Sequence, residues 1–202
     1  MFTGIDTAIG TIDKVEDRGD LRVTIACPFD TSALAIGASV ACSGVCLTVV
    51  ERGEGWFAAD VSNETASRTA RGMWRAGQRL NVEPSLKLGD ELGGHIVTGH
   101  VDAVGVVDDW EPDGGSNRLT IHAPPELAKF IAAKGSIAVD GVSLTVNAIE
   151  DRADGSVCFG INVIPHTSEV TTLGEIEQGA QVNLEIDTVA RYLQRLESLR
   201  PA

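Results

Sequence analysis

Ser39-Val-Ala-Cys-Ser-Gly-Val-Cys-Leu-Thr-Val49 lies over Ser136-Ile-Ala-Val-Asp-Gly-Val-Ser-Leu-Thr-Val146, with Ser, Ala, Gly, Val, Leu, Thr and Val identical. The agreement spreads outward in both directions. Thr3-Gly4 matches Thr98-Gly99, and Gly10 matches Gly105. FAADVSNET (57–65) lies over FGINVIPHT (159–167), Gly72 over Gly174, and GQRLNVE (77–83) over GAQVNLE (179–185). The offset grows only from 95 residues at Thr3/Thr98 to 102 at Glu83/Glu185. Order and spacing held across a half-chain mean duplication. The expected units are residues 1–96 and 97–187, followed by a tail at 188–202.

Each unit reads as mostly β. Residues 101–107 (VDAVGVV), 118–122 (RLTIH) and 181–186 (QVNLEI) are short, β-branched and partly alternating. Asp113-Gly-Gly-Ser116 and Asp154-Gly155 are turn signals between them. Strands of this length suggest a small closed barrel, because closure leaves no edge exposed. A helix is expected over 124–133, with a weaker counterpart at 28–34. Residues 187–199 form a terminal helix without an N-terminal copy, capped by Asp187 or Thr188 and striped by Val189, Tyr192, Leu193 and Leu196. That stripe either folds back on its own barrel or joins subunits.

Composition excludes several classes of function. The 202 residues carry 29 acidic against 16 basic side chains, a net charge of −13. Gripping nucleic acid or an anionic membrane needs clustered positive charge. No apolar run nears the ~20 residues that span a bilayer. Asp6 and Asp13 stand where a signal peptide would be basic and apolar. A soluble, cytoplasmic chain is expected. Cys27, Cys42, Cys46 and Cys158 form no CxxC pair, and the four histidines show no metal-ligand spacing. Neither a disulfide framework nor a metal is expected.

Within the matched motifs a few positions differ: Ile5 against His100, Ser43 against Asp140, Cys46 against Ser143, Glu64 against His166. These residue types carry protons or act as nucleophiles. Taken singly, Cys46 reads as a small buried hydrophobe, His100 as a satisfied structural histidine and Ser143 as a strand serine. Cys42 and Cys46, four apart, are expected on the same side of one strand. Taken together, duplication suggests two like ligands bound in matching frames. Small Gly and Thr residues suit a flat heterocycle rich in acceptors.

Met1-Phe-Thr-Gly-Ile5, Gly44-Val-Cys-Leu-Thr-Val49, Gly93-Gly-His-Ile-Val-Thr-Gly-His100, Asp140-Gly-Val-Ser-Leu-Thr-Val146, Ile164-Pro-His-Thr167 and Asn183-Leu-Glu-Ile-Asp187 resemble, in order, the motifs of the riboflavin synthase alpha chain family. The resemblance covers about residues 1–190. It implies an all-β fold of two tandem six-stranded Greek-key barrels, with a C-terminal helix that assembles a homotrimer. It also implies a transferase that moves a four-carbon unit between two molecules of 6,7-dimethyl-8-ribityllumazine. The products would be riboflavin and 5-amino-6-(ribitylamino)uracil, without metal or redox cofactor. A non-catalytic lumazine or flavin carrier is the alternative.

Carried onto this sequence, one recess would comprise Gly4, Ile5 and Asp6; Cys46, Leu47 and Thr48; and Asp60, Val61, Ser62, Asn63, Glu64 and Thr65, with Phe2 close by. The other would comprise Gly99, His100 and Val101; Lys134; Ser143, Leu144 and Thr145; and Asn162, Val163, Ile164, Pro165, His166 and Thr167. The implied catalytic residues are Cys46, His100, Ser143 and Asp187, supported by Ser39, Thr48, His95 and Asp140.

Overall fold

A computed structural model describes residues 1–5 and 8–200. Asp6 therefore lies outside the described residues. The first half supplies β1 (Ala8–Asp17), β2 (Leu21–Ala26), β3 (Ser39–Cys42), β4 (Val45–Gly53), β5 (Trp56–Val61) and β6 (Arg79–Pro84). They close antiparallel in the order β1-β2-β5-β4-β3-β6. The second half repeats them as β7 (Ala103–Asp113), β8 (Ser116–Ala123), β9 (Ser136–Val139), β10 (Val142–Asp151), β11 (Val157–Val163) and β12 (Gln181–Ile186), again a closed barrel.

The duplication reaches the irregularities. Register shifts fall between Ile12 and Lys14 and between Val107 and Asp109, which are matched positions. A second matched pair lies between Val49 and Glu51 and between Val146 and Ala148. Such bulges bend a strand and let a small sheet curl shut. Alternating residues fill each interior. Val23, Ile25, Phe57 and Val82 belong to one core; Ile121, Phe159, Val182 and Leu184 belong to the other.

Among the described residues, α1 (Asn63–Arg68), α2 (Pro125–Ala128) and α3 (Pro165–Val170) interrupt the strands, and α4 (Thr188–Glu197) follows β12. The helix expected over 124–133 is only one turn long, and its counterpart is a 3-10 turn at Thr31–Ala33. The expected terminal helix forms, with the Asp187 carboxylate accepting the Val189 N–H at 2.8 Å. α1 and α3 lie within the matched motifs and were not expected. Ser62 caps α1 by accepting the Thr65 N–H, and Pro165 opens α3 where its missing N–H is harmless.

Cys42 and Cys46 do not share a strand. Ser43-Gly44 turns between β3 and β4, both residues having positive φ as a two-residue hairpin requires. Cys42 opposes Val45 and enters the first core. Cys46 opposes Ala41 and joins Phe2, Val97 and Ala138 in a small third cluster between the barrels. The intervening turn reverses the chain, so counting along one strand misassigns the faces.

The matching turns Ser43-Gly44 and Asp140-Gly141 meet tip to tip on the pseudo-twofold axis. A Cβ on Gly44 would stand 2.9 Å from the Gly141 nitrogen, and one on Gly141 2.7 Å from that of Gly44. Matched asparagines lock the seam: Asn81 Nδ2 donates to the Asp140 carbonyl at 3.0 Å, and Asn183 Nδ2 to the Ser43 carbonyl at 2.8 Å.

Candidate active site

Two Thr-Gly turns decide where the candidate residues meet. Thr3-Gly4 precedes β1, and Thr98-Gly99 precedes β7. A buried glutamate of each barrel holds its own turn. The Thr3 N–H and hydroxyl donate to Glu83 Oε1 at 2.7 and 2.9 Å, and the Gly4 N–H donates to Oε2 at 3.0 Å. The Thr98 N–H and hydroxyl donate to Glu185 Oε1 at 2.7 and 2.6 Å, and the Gly99 and His100 N–H groups donate to Oε2 at 2.9 and 3.1 Å.

Each turn then offers its carbonyl to the opposite barrel. The Ser143 N–H donates to the Gly4 carbonyl at 2.9 Å, and the Cys46 N–H to that of Gly99 at 2.8 Å. Both glycines have positive φ, and a Cβ would stand 2.5 Å from the Ser143 nitrogen or 2.6 Å from Cys46 Cβ. Glycine is therefore required at both. The contacts cross the seam: the Gly4 carbonyl meets Ser143 and the Gly99 carbonyl meets Cys46, whereas the resemblance groups Gly4 with Cys46 and Gly99 with Ser143. Each turn lies ahead of its barrel's first strand and so reaches over the seam. Val101 follows the same path and packs against the first core.

The connection 85–102 brings Gly94-His95 onto Ser143. His95 Nδ1 and Ser143 Oγ are 2.7 Å apart, the donor being set by the ring tautomer. Among the described residues, His95 Nε2 is buried without a protein partner. Burial lowers the His95 pKa from its usual value, and the Asp187 and Glu185 carboxylates oppose that shift. Burial thus favours the neutral His95 ring, which can give or take one proton with Ser143.

Other candidates stand apart. His100 is exposed, and its N–H completes the Glu185 cradle. Asp187 caps α4 while its charge reaches His95. Asp140 sits at the seam, where its Oδ1 accepts the Asn183 N–H at 2.8 Å and burial pushes its pKa up to about 7. It lines a cavity of about 310 Å³ with Ser43, Met73 and Asn183, a lining that includes neither Cys46 nor Ser143. Ser39 borders a separate cavity of about 370 Å³ beside Phe29, Leu34 and Pro84.

Thr48 and Thr145 are exposed, two residues beyond Cys46 and Ser143 on the same strand faces. Leu47, Val61 and Val163 point into the barrel cores, which leaves them backbone atoms to offer outward. Leu144 packs partly buried against the second core. Asp60 is paired by Arg22, which holds its carboxyl below the usual range. Ser62, Asn63, Glu64 and Thr65 build α1 and its cap; Ile164, Pro165, His166 and Thr167 occupy the matching place at α3, beside Asn162. Lys134 is exposed at φ 67°, where the first half has Gly37 at 87°.

The lumazine binding domain family matches this chain twice, at residues 3–85 and 98–187. Riboflavin synthase of Brucella abortus is 46% identical over 97% of this chain and 98% of its own length. That of Mycobacterium bovis is 44% identical over the same shares of the two chains. The chain belongs to the riboflavin synthase family. The family's duplicated fold also appears in solved structures of LumP. With riboflavin bound, LumP is 26% identical, covers 92% of this chain and 99% of its own, and superposes with a TM-score of 0.80. LumP with 6,7-dimethyl-8-(1'-D-ribityl) lumazine gives 0.77 at 25% identity over the same shares.

Sequence reasoning missed Glu83 and Glu185, which hold the Thr-Gly turns, and Asn81 and Asn183, which lock the seam between the barrels. The signal lay in the paired Asn-Val-Glu and Asn-Leu-Glu, polar residues repeated inside otherwise apolar strands.

Proposed function

We propose that this chain is a riboflavin synthase. It takes two molecules of 6,7-dimethyl-8-ribityllumazine and moves a four-carbon unit from one to the other. One becomes riboflavin and the other 5-amino-6-(ribitylamino)uracil. Supporting this reading is the pair of crossed Thr-Gly contacts, one over Cys46 and one over Ser143, alike in backbone frame and different in side chain, as suits two like substrates with different roles.

The first chemical need is loss of a proton from the C7 methyl group of one substrate. The resulting anion spreads over the heterocycle, so oriented donors at the ring stabilise it better than a strong base would. The backbone N–H groups around Gly4 and Gly99 are already engaged, which leaves the Ser143 hydroxyl, oriented by His95, as the donor or acceptor facing a ring. Asp187 stabilises positive charge on His95 as a proton passes, and His100 or a ring-bound water is the partner relay. The second need is to hold two rings face to face with their reacting carbons aligned. Such positioning supplies roughly 7–11 kcal/mol of barrier reduction. Cys46 either adds to a ring carbon or shapes its recess.

The units at 1–96 and 97–187 each hold one lumazine, and the tail at 188–202 joins subunits into a homotrimer. Supporting the last point, Val189, Tyr192, Leu193, Leu196 and Leu199 are 61–65% exposed, while Arg191 ties α4 to Asp102 at 2.7 and 2.9 Å. The enzyme is placed in the cytoplasm as part of this reading; among the described residues no helix is long and apolar enough to cross a membrane.

The test mixes the purified chain with 6,7-dimethyl-8-ribityllumazine, adds no metal or nucleotide, and follows riboflavin absorbance. Riboflavin formation is expected. Tight binding without turnover would leave a carrier, and neither would overturn the reading.

A further inference from the structure

We propose that Glu83 and Glu185 are positioning residues that act across the seam. Glu185, in the second barrel, sets the wall over Cys46 in the first. Glu83, in the first, sets the wall over Ser143 in the second. For its activity readout this proposal rests on the synthase reading above.

The chain of contacts is continuous. Glu185 gathers four donors from Thr98, Gly99 and His100, and the Gly99 carbonyl accepts from Cys46 at 2.8 Å. Glu83 gathers three from Thr3 and Gly4, and the Gly4 carbonyl accepts from Ser143 at 2.9 Å. The three shared bonds agree to within 0.3 Å between the halves. Glu83 and Glu185 are only 3% and 2% exposed. A carboxylate is tolerated at such depth when its oxygens are well supplied with donors. A neutral amide in the same place would turn an NH2 toward N–H groups and loosen the turn. Among the described residues, the His100 N–H joins Glu185, whereas the matching Ile5 N–H turns to the Thr3 hydroxyl at 3.0 Å. Glu185 therefore also orients the backbone of His100.

A glutamate that merely stapled its own barrel would protect the cysteines of that barrel. The crossed arrangement makes the opposite demand, because Cys46 shares a barrel with Glu83 yet lies under the turn held by Glu185. The test is thiol labelling of the intact folded chain, mapped residue by residue, in E185Q and E83Q. E185Q is expected to speed labelling of Cys46 about tenfold, the size of one unmade buried hydrogen bond, and to leave Cys27 and Cys42 unlabelled. E83Q is expected to leave Cys46 at the wild-type rate. In turnover, both variants are expected to lose kcat by about 100-fold, the scale of a small misplacement, with a much smaller change in KM. If either glutamine variant fails to fold, T98V and T3V remove one donor from each cradle and should give the same crossed pattern in weaker form. Labelling of Cys46 raised by E83Q and not by E185Q would overturn the proposal, as would equal labelling of all four cysteines. Absence of turnover in the wild-type chain would count against the synthase reading alone, since the labelling pattern needs no substrate.

Discussion

Cys46 and Ser143 share a backbone frame and differ in chemical surroundings. Both lie on the second residue of a strand, under a Thr-Gly turn from the other half. Around Cys46 the neighbours are Phe2, Ala41, Val97 and Ala138, an apolar setting for a thiol. Ser143 instead meets His95, whose ring feels two carboxylates. The difference has a simple origin. His95 lies in the connection between the halves, outside the two matched segments. Duplication supplied matching frames, and the joining segment made them unequal.

The harshest way to break the comparison is to fill its shared close approach. Gly99→Ala and Gly4→Ala each drive a Cβ within 2.6 Å of the opposite strand at a left-handed φ. Steady-state turnover should fall by at least about 100-fold in either, as misplacement predicts; near-wild-type rates would remove the turns from the site. Next, Ser143→Ala and His95→Gln should each lower kcat by about 100-fold, the lower range for a lost proton-transfer partner. The double variant should be little worse, because the two act as one hydrogen-bonded unit. Additive losses would separate them.

Cys46→Ser sharpens the contrast. Its expected loss is about tenfold, the order of one weakened contact, with lumazine binding retained. A loss as deep as that of Ser143→Ala would make the thiol a nucleophile. The smallest effect falls on the seam. Asp140 in the folded chain has its pKa raised from 3.8 to about 7. Its contribution to stability is therefore full below about pH 4 and is lost as pH rises toward 7. Asp140→Asn keeps an acceptor for the Asn183 N–H and removes the buried charge. Thermal melts at pH 8 should show Asp140→Asn gaining stability over the wild-type chain, the gain shrinking to nothing at pH 4. An equal gain at both pH values would mean that the carboxyl is not the cause.

The duplication and the barrels were legible because repeated glycines and alternating apolar residues impose strand geometry locally. The strand 181–186 falls as expected. Helices α1 and α3 were not legible, since six residues opened by Ser62 or Pro165 look like any turn until the strands around them are placed. Cys42 and Cys46 show a second limit: the Ser43-Gly44 hairpin inverts the face that spacing assigns. The crossing of the turns was hidden for a further reason. Similarity marks equivalent residues, and equivalence places Gly4 with Cys46 in the first half; contact follows the seam instead. Likewise, Glu83 and Glu185 sat in plain view inside the repeat, but only burial and three or four converging donors give them a task.

The Thr-Gly turns also bear on how the chain comes together. Once Pro84 has emerged, the first barrel possesses all six of its strands and can close. Cys46 stays uncovered, because its cover is Thr98-Gly99 and the anchor for that cover is Glu185 on β12. A half-length chain would thus hold a finished barrel and an unfinished recess. It carries, though, at its own start, the same Thr-Gly pair. Two such halves trading these ends would restore what the full chain achieves by itself, which makes the tandem protein the covalent form of an exchanged pair.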